Sequence, residues 1–281
     1  MRITKHITFY FREDRFEYIN RIICETNTYE YPTDIFIHTN ERTLRKDMLS
    51  EYTNGSLTII WYDFSNRHPH YLTWVPRGLM RDQKDDYDIF IYIEDDILVP
   101  RKAIKYWLQR NEELISLGYN LGFVRIELED DVEYMSDLLG ETYDIILELN
   151  GEPYCLNNKN PYCAFWIYNK SEFNKFVESP YYNIENIHGY DERAASAVGL
   201  HGAHTPWYKG TVMPLKDNKL IGDCRIYHMP NNYVNKRDGI FEFARLPKFN
   251  EAVSGTYKPE DVKPEPYKVE GYKNINYISL D

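Results

Sequence analysis

The segment from Asp88 to Asp96 constrains the fold most, because five apolar residues, Ile-Phe-Ile-Tyr-Ile, run directly into Glu94, Asp95 and Asp96. A strand that is apolar on both faces is typical of a parallel sheet covered by helices on both sides. Three adjacent carboxylates repel one another, so we expect a cation to compensate for them. The segment therefore predicts a buried central strand with a strongly charged end.

Strand-like and helix-like patterns alternate through the first third of the chain. This alternation predicts an α/β fold with a mostly parallel sheet flanked by helices, whose ligands bind at the carboxyl ends of the strands. We expect a single domain over residues 1–250, with two subregions (residues 1–100 and the smaller, mixed residues 101–250), and an extended tail (251–281). The expected strands are 3–11, 34–38, 57–62 and 87–93, and the expected helices are 12–26, 41–52, 71–82 and a long one between Pro100 and Gly118.

Charge and cysteine usage narrow the class of protein. The chain of 281 residues has 44 acidic and 33 basic residues, a net charge of −11, so it lacks the basic footprint of a nucleic-acid-binding protein. Its four cysteines form no CxxC pair. The N-terminus has no apolar signal region and no run is long enough to span a membrane. The sequence predicts a cytoplasmic protein without a membrane span.

The acidic end of the fourth strand is a candidate metal site. Carboxylate oxygens are the ligands that Mg²⁺ and Mn²⁺ prefer, and such an ion can hold a diphosphate. The competing interpretation is that the negative charges of these acids only interact favourably with the dipole at the N-terminus of the following helix. Glu94-Asp95-Asp96 resembles the DxD motif of the GT-A nucleotide-sugar glycosyltransferases, with Glu in the first place. That resemblance implies that Asp96 binds Mn²⁺ (or Mg²⁺) and that Glu94 and Asp95 contact ribose or metal-bound water, with the division of roles open.

A second resemblance to GT-A enzymes lies in Arg225-Ile-Tyr-His-Met-Pro230. Many of those enzymes complete the metal site with a histidine near the C-terminus, and the match implies that His228 is this ligand. A neutral imidazole is an acceptable ligand for Mn²⁺. The alternative is an ordinary histidine that is only hydrogen-bonded within the fold.

The segment His188-Gly-Tyr-Asp-Glu-Arg-Ala-Ala-Ser196 places acids at the start of a small-residue helix. In inverting GT-A enzymes an acid at a comparable place removes the proton of the acceptor hydroxyl, so the resemblance implies that Asp191 or Glu192 is the catalytic base. A plain helix cap is the competing interpretation. The choice between Asp191 and Glu192 stays open.

Donor contacts follow from the same resemblance. It implies uridine contacts at the ends of the first two strands, at Thr8, Phe9, Thr39 and Asn40. Arg77, four residues before Arg81, is a candidate for binding the sugar or diphosphate, although a surface arginine is the default interpretation. A loop with His201, His204 and Trp207 could flank the donor sugar.

The whole pattern is most similar to the soluble GT-A-like glycosyltransferases of large algal viruses. Enzymes of the GT-A class have a Rossmann-like sheet, so the resemblance implies that residues 1–100 form a nucleotide-binding half and residues 101–250 an acceptor-side, catalytic half. The resemblance implies an inverting, metal-dependent enzyme that moves a sugar, with xylose as one candidate, from a UDP-sugar to an oligosaccharide or glycoprotein acceptor such as a capsid-protein N-glycan. Two alternatives stay open. One is a carbohydrate-binding or structural protein without transferase activity; the other is a sugar nucleotidyltransferase, which the missing Gly-rich loop after the first strand disfavours.

Overall fold

The computed structural model describes residues 1–197, 210–236 and 246–257. The chain forms two compact units. Unit 1 comprises Met1–Ile97 and the described part of Ala164–Gly199, and unit 2 comprises Leu98–Cys163 and the described part of Leu200–Lys268. The chain leaves unit 1 close to residue 100, where the sequence analysis divides its two halves, but it returns to unit 1 at Ala164.

The described residues form fifteen strands and six α-helices. The strands are β1 (Ile3–Phe9), β2 (Thr33–Thr39), β3 (Leu57–Trp61), β4 (Ile89–Glu94), β5 (Ile97–Leu98), β6 (Tyr119–Leu121), β7 (Val124–Glu129), β8 (Val132–Met135), β9 (Tyr143–Leu149), β10 (Glu152–Leu156), β11 (Phe165–Asn169), β12 (Gly210–Lys216), β13 (Lys219–Leu220), β14 (Arg225–His228) and β15 (Val253–Tyr257). The helices are α1 (Phe16–Thr26), α2 (Pro76–Asp82), α3 (Arg101–Ser116), α4 (Lys170–Glu178), α5 (Glu192–Ala195) and α6 (Asn232–Lys236).

Unit 1 is built on a five-stranded sheet in the order β11-β4-β1-β2-β3. The four strands from β4 to β3 are parallel, and β11 runs antiparallel to β4 at the edge. Every residue of β1 and β4 is buried, as the apolar pattern of the acid-terminated strand predicts. The α/β fold with a mostly parallel sheet and flanking helices is therefore confirmed.

Unit 2 is mixed. Its largest sheet has the order β13-β12-β10-β9-β15, with β6 paired to β12, and β14, β7 and β8 lie side by side in another sheet. Strand β15 runs parallel to β9, so residues 253–257, which the sequence analysis places in an extended tail, belong to a sheet. No helix in the described part of the chain has the length and apolarity needed to cross a membrane.

Most of the helices expected from the sequence form, and one does not. The long helix α3 ends at Ser116, and Gly118 follows with φ +85°, the left-handed conformation that glycine adopts after a helix. The expected helix over 41–52 is wrong. Only the single turn Lys46–Met48 forms there. The rest of the stretch is irregular backbone after β2 that buries Leu44.

A lysine lies in the core of unit 1. Lys5 is 1% exposed in the middle of β1, and its ammonium donates to Thr26 Oγ1 at 2.7 Å and to Tyr29 Oη at 2.9 Å. The Tyr29 ring lies 4.5 Å from the same nitrogen. Burial lowers the pKa of Lys5 to about 7, and the negative charge of Glu25 opposes that shift only in part. At pH 7 the Lys5 amine is therefore fully protonated in the unfolded chain and about half protonated in the folded one.

Lys5 gives stability a pH dependence of known sign. Its folded pKa of about 7 lies below the unfolded value, so between these two values the unfolded chain binds more protons and the folded state gains stability as pH rises. We expect the free energy of unfolding of the wild type, relative to Lys5→Met, to increase by about 2 kcal/mol between pH 7 and pH 9 in urea titrations. The exposed Lys84→Met is the control. A pH dependence that Lys5→Met leaves unchanged would contradict the assignment.

Candidate active site

A cleft of about 240 Å³ opens in unit 1 where β1 and β4 end. Thr8 of β1 and Glu94 of β4 are paired neighbours in the sheet, and both line the cleft. The remaining lining comes from the segment after β1, the turn before α2, the residue after Glu94 and the start of α5: Tyr10, Arg12, Arg15, Pro69, His70, Leu72, Thr73, Asp95 and Arg193. The cleft therefore lies at the carboxyl ends of parallel strands, where α/β sheets bind ligands.

Arginines neutralise the three acids that end β4, which we call the acid turn (Glu94–Asp96). Arg193 Nη2 lies 2.9 Å from Glu94 Oε2. Arg15 Nη1 lies 2.6 Å from Asp95 Oδ1 and 3.2 Å from Asp96 Oδ2, so one nitrogen joins two carboxylates. All three acids are less than a tenth exposed. The compensating cations that the sequence analysis requires are thus supplied, in this structure, by the chain itself.

The acid turn is electrostatically strained at Asp95. Burial, together with the adjacent negative charge of Asp96, raises the pKa of Asp95 to about 8, although Arg15 acts in the opposite direction. Burial also acts to lower the pKa of Arg15, but the Asp95 and Asp96 carboxylates outweigh it and hold that pKa above its ordinary value. More positive charge at this position would stabilise the ionised form of Asp95.

The chemistry of the acid turn suits a divalent cation. Asp95 Oδ2 is buried and has no hydrogen-bond partner among the described residues, although a carboxylate oxygen in that position needs one. Its carboxylate oxygens are of the kind that Mn²⁺ and Mg²⁺ prefer. Among the described residues, however, no three His, Cys, Asp or Glu side chains converge as a ready metal site. The donor atoms of the acid turn are nevertheless compatible with a divalent cation, and Mn²⁺ or Mg²⁺ binding there stays a prediction.

A buried hydrogen-bonded chain lies behind the cleft, on the same face of the sheet as Thr8. His6 Nε2 lies 3.0 Å from Gln83 Oε1, His6 Nδ1 lies 2.9 Å from His38 Nε2, and His38 Nδ1 lies 3.0 Å from Tyr62 Oη. Because the amide oxygen of Gln83 only accepts, the chain runs in one direction from the Tyr62 hydroxyl inward. Burial lowers the pKa of His38 to about 3, so the chain carries no charge at neutral pH.

The predicted uridine contacts separate into one cleft residue and three residues elsewhere. Thr8 lines the cleft. Phe9 is fully buried in the core. Thr39 Oγ1 accepts from the amide of Glu41, and Asn40 Oδ1 accepts from the amide of Phe11 at 2.8 Å, so both hold the backbone at the strand ends. A direct uridine contact by Phe9, Thr39 or Asn40 stays a prediction.

Arg77 lies in a buried, structural position and does not line the cleft, and donor binding by Arg77 stays a prediction. It is 5% exposed and its guanidinium donates to three backbone carbonyls. The Trp74 ring lies 3.9 Å from its guanidinium carbon. Three carbonyl oxygens and one aromatic ring therefore hold this guanidinium in place. The carbonyls belong to Tyr181, Tyr182 and Ser196, at 2.8, 2.9 and 2.9 Å.

The two candidate bases stand at the start of α5. Asp191 is its N-cap, and Oδ1 accepts from the amides of Arg193 and Ala194 at 2.9 and 2.8 Å. These bonds, the one from Ala194 first, lower the pKa of Asp191. The carbonyl of Glu192 accepts from Trp74 Nε1 at 2.7 Å. Neither acid lines the cleft; the next residue, Arg193, does. A role for either acid as the base stays a prediction.

His228 ends β14 in unit 2. Its Nδ1 contacts Glu127 Oε1, and its ring stacks on Tyr233 with 5.0 Å between ring centroids. The other oxygen of Glu127 accepts from the amides of Tyr233 and Val234. A carboxylate on one ring nitrogen is the usual way in which a ligand histidine is oriented. Asp96 belongs to unit 1, and metal binding by His228 stays a prediction.

Sequence reasoning missed the arginines of the cleft. Arg12 and Arg15 follow β1 directly, and Arg193 follows the acids of the candidate base segment. The available signal was the pair of arginines after a strand end in a chain of negative net charge. The loop with His201, His204 and Trp207 lies outside the described residues.

No family model and no curated protein matches this chain. Among solved structures, the chain is similar to TarS 1-349 of S. aureus, a glycosyltransferase, with 10% sequence identity and a TM-score of 0.45. The match covers 83% of this chain and 63% of the TarS chain, so this chain spans less than two thirds of that length.

Arg77 provides a test that separates a structural role from donor binding. Arg77→Met leaves three buried carbonyls without donors, and we expect it to lower the free energy of unfolding by at least about 2 kcal/mol. Arg81→Met, at the exposed end of the same helix, is the control and should change stability by less than about 0.5 kcal/mol. A stable Arg77→Met protein with impaired nucleotide binding would return Arg77 to the donor site.

Proposed function

We propose that this protein transfers a glycosyl group from a UDP-sugar to a glycan acceptor. The observation that carries the proposal is the convergence of Arg12, Arg15 and Arg193 with Glu94 and Asp95 in one cleft at the ends of β1 and β4, with Asp96 beside them on Arg15. Guanidinium groups bind phosphate oxygens through two parallel hydrogen bonds. Carboxylates beside them provide the site for a divalent cation on the same anion.

The cleft residues have distinct parts in this proposal. The three arginines bind and orient the diphosphate, and Thr8 lies beside them at the end of β1. Asp96, with Asp95, holds the divalent cation. When bound, that ion supplies positive charge to the leaving diphosphate. An acid at the start of α5 accepts the proton of the acceptor hydroxyl. The hydroxyl oxygen attacks the anomeric carbon on the side opposite the diphosphate, the bond to the diphosphate breaks, and the configuration of that carbon is inverted.

Comparing the affinities for UDP and for uridine distinguishes a site that binds the diphosphate from a site that binds only the nucleoside. We expect calorimetry with Mn²⁺ to show binding of UDP in preference to GDP and CMP. Arg12→Gln should weaken UDP at least about tenfold, because it removes a charged phosphate partner worth about 1.5–3 kcal/mol, and should leave uridine unchanged. A series of UDP-sugars that includes UDP-xylose then ranks the donor.

Arg45→Gln is the matched control for Arg12→Gln. Both arginines are exposed and pair with an aspartate two residues later, Arg12 with Asp14 and Arg45 with Asp47, but only Arg12 lines the cleft. Arg45→Gln should leave UDP affinity unchanged. Glycan binding without any nucleotide binding would replace the proposal with a carbohydrate-binding protein, and formation of UDP-sugar from UTP would replace it with a nucleotidyltransferase.

The catalytic base can be assigned with two conservative variants. Because the Asp191 carboxylate caps α5 and its pKa is lowered, we expect Glu192 to be the base. Glu192→Gln should lower kcat by about 10²–10⁴-fold, whereas Asp191→Asn, which preserves the cap, should change it less than about tenfold. Product anomers determined by NMR should show inversion. Full turnover in both variants, with retention at the anomeric carbon, would disprove a base in this segment.

A further inference from the structure

Arg15 occupies the position between two carboxylates where an external cation would bind. Its Nη1 lies 2.6 Å from Asp95 Oδ1 and 3.2 Å from Asp96 Oδ2, while Asp95 Oδ2 is buried without a hydrogen-bond partner among the described residues. One guanidinium nitrogen therefore supplies positive charge to both carboxylates but leaves an oxygen of Asp95 unsatisfied. A divalent ion at this position is incompatible with the guanidinium, because the two like charges would be in contact.

The Arg15 side chain has room to reorient into the cleft. Arg15 is the residue before α1, its side chain is a quarter exposed, and it lines the cleft together with Arg12 and Arg193. The cleft is the site of the proposed diphosphate. A long arginine side chain with partial solvent access reorients readily, unlike the buried Arg77, whose guanidinium is fixed by carbonyls.

We infer that Arg15 is an exchangeable internal cation: without ligand its guanidinium neutralises Asp95 and Asp96, and when a divalent cation and a diphosphate bind, it moves to the diphosphate. The inference rests on the proposed function for the diphosphate part. Arg15 then has two alternative partners: the carboxylates of Asp95 and Asp96 without ligand, and the diphosphate when ligand is bound. No covalent step is involved, since one ion pair replaces another.

Exchange makes the binding of cation and diphosphate cooperative. The cation alone must displace Arg15 into a cleft without an anion, which weakens its binding. A diphosphate in the cleft stabilises the displaced guanidinium, so each ligand increases the affinity of the other by the same factor. If Arg15 instead stayed beside the acid turn when the cation bound, its loss would remove the same repulsion with and without UDP, and the factor by which UDP tightens cation binding would not change.

The experiment is a Mn²⁺ titration, followed by electron paramagnetic resonance, of the full chain with and without saturating UDP. In the wild type, UDP should tighten Mn²⁺ binding at least about fivefold. In Arg15→Gln, Mn²⁺ without UDP should bind at least about fivefold more tightly than in the wild type, and UDP should tighten it by a clearly smaller factor than in the wild type, because only the direct attraction between ion and diphosphate remains. Arg15→Lys retains the competing charge, so its Mn²⁺ affinity without UDP should stay within about twofold of the wild type.

Arg12→Gln is the matched control, because Arg12 lines the same cleft but pairs with the exposed Asp14 instead of the acid turn. It should not tighten Mn²⁺ binding. Unchanged or weaker Mn²⁺ binding in Arg15→Gln, an effect of UDP in Arg15→Gln as large as in the wild type, an equal gain in Arg12→Gln, or no Mn²⁺ binding by any protein overturns the inference. Normal UDP binding in those cases leaves the proposed function standing. A wild type that binds no UDP overturns the proposed function, and the titration without UDP still decides the exchange at Asp95 and Asp96.

Discussion

The cleft of unit 1 depends on how three adjacent carboxylates are neutralised at the end of a buried strand. Glu94, Asp95 and Asp96 are less than a tenth exposed, so water screens their repulsion poorly. Arg15 and Arg193 approach from segments distant in sequence and supply the compensating charge. That requirement brings the start of α1 and the start of α5 to the strand end, and those two segments form much of the cleft wall.

The other polar groups of unit 1 hold this arrangement in place. Arg77 ties α2 to the carbonyl of Tyr182, which precedes the candidate base segment, and to that of Ser196, its last residue. Trp74 donates to the carbonyl of Glu192 within that segment. Behind the cleft, the neutral chain from Tyr62 to Gln83 satisfies two buried histidines within the sheet. These hydrogen bonds are internal, whereas the guanidinium groups of Arg12 and Arg15 line the cleft and keep access to solvent. This division suits a site that exchanges ions while its frame stays fixed.

The sequence predicts the strands better than the roles of the charged residues. The apolar run before Glu94 is visible because burial on both faces leaves a continuous pattern. The helix expected over 41–52 forms only as the turn Lys46–Met48, although Leu44 and Met48 are spaced as in a helix, so local spacing alone does not decide this segment. Arg77 was a candidate phosphate ligand because the sequence shows a guanidinium but not the carbonyls that it contacts. Arg15 was not a candidate, because the residues around it in the sequence give no indication that it lies beside Asp95.

The sequence by itself determined the α/β class, the acid-terminated central strand and the need for a positive charge beside it, because apolar periodicity and adjacent like charges are local properties of the chain. Only the tertiary structure decided which cations meet that need. Arg15 is 80 residues from Asp95 and Arg193 is 99 from Glu94, and such pairs form through packing of the segments that carry them. Long-range ion pairs depend on the distances between folded segments, which no local pattern of residues contains.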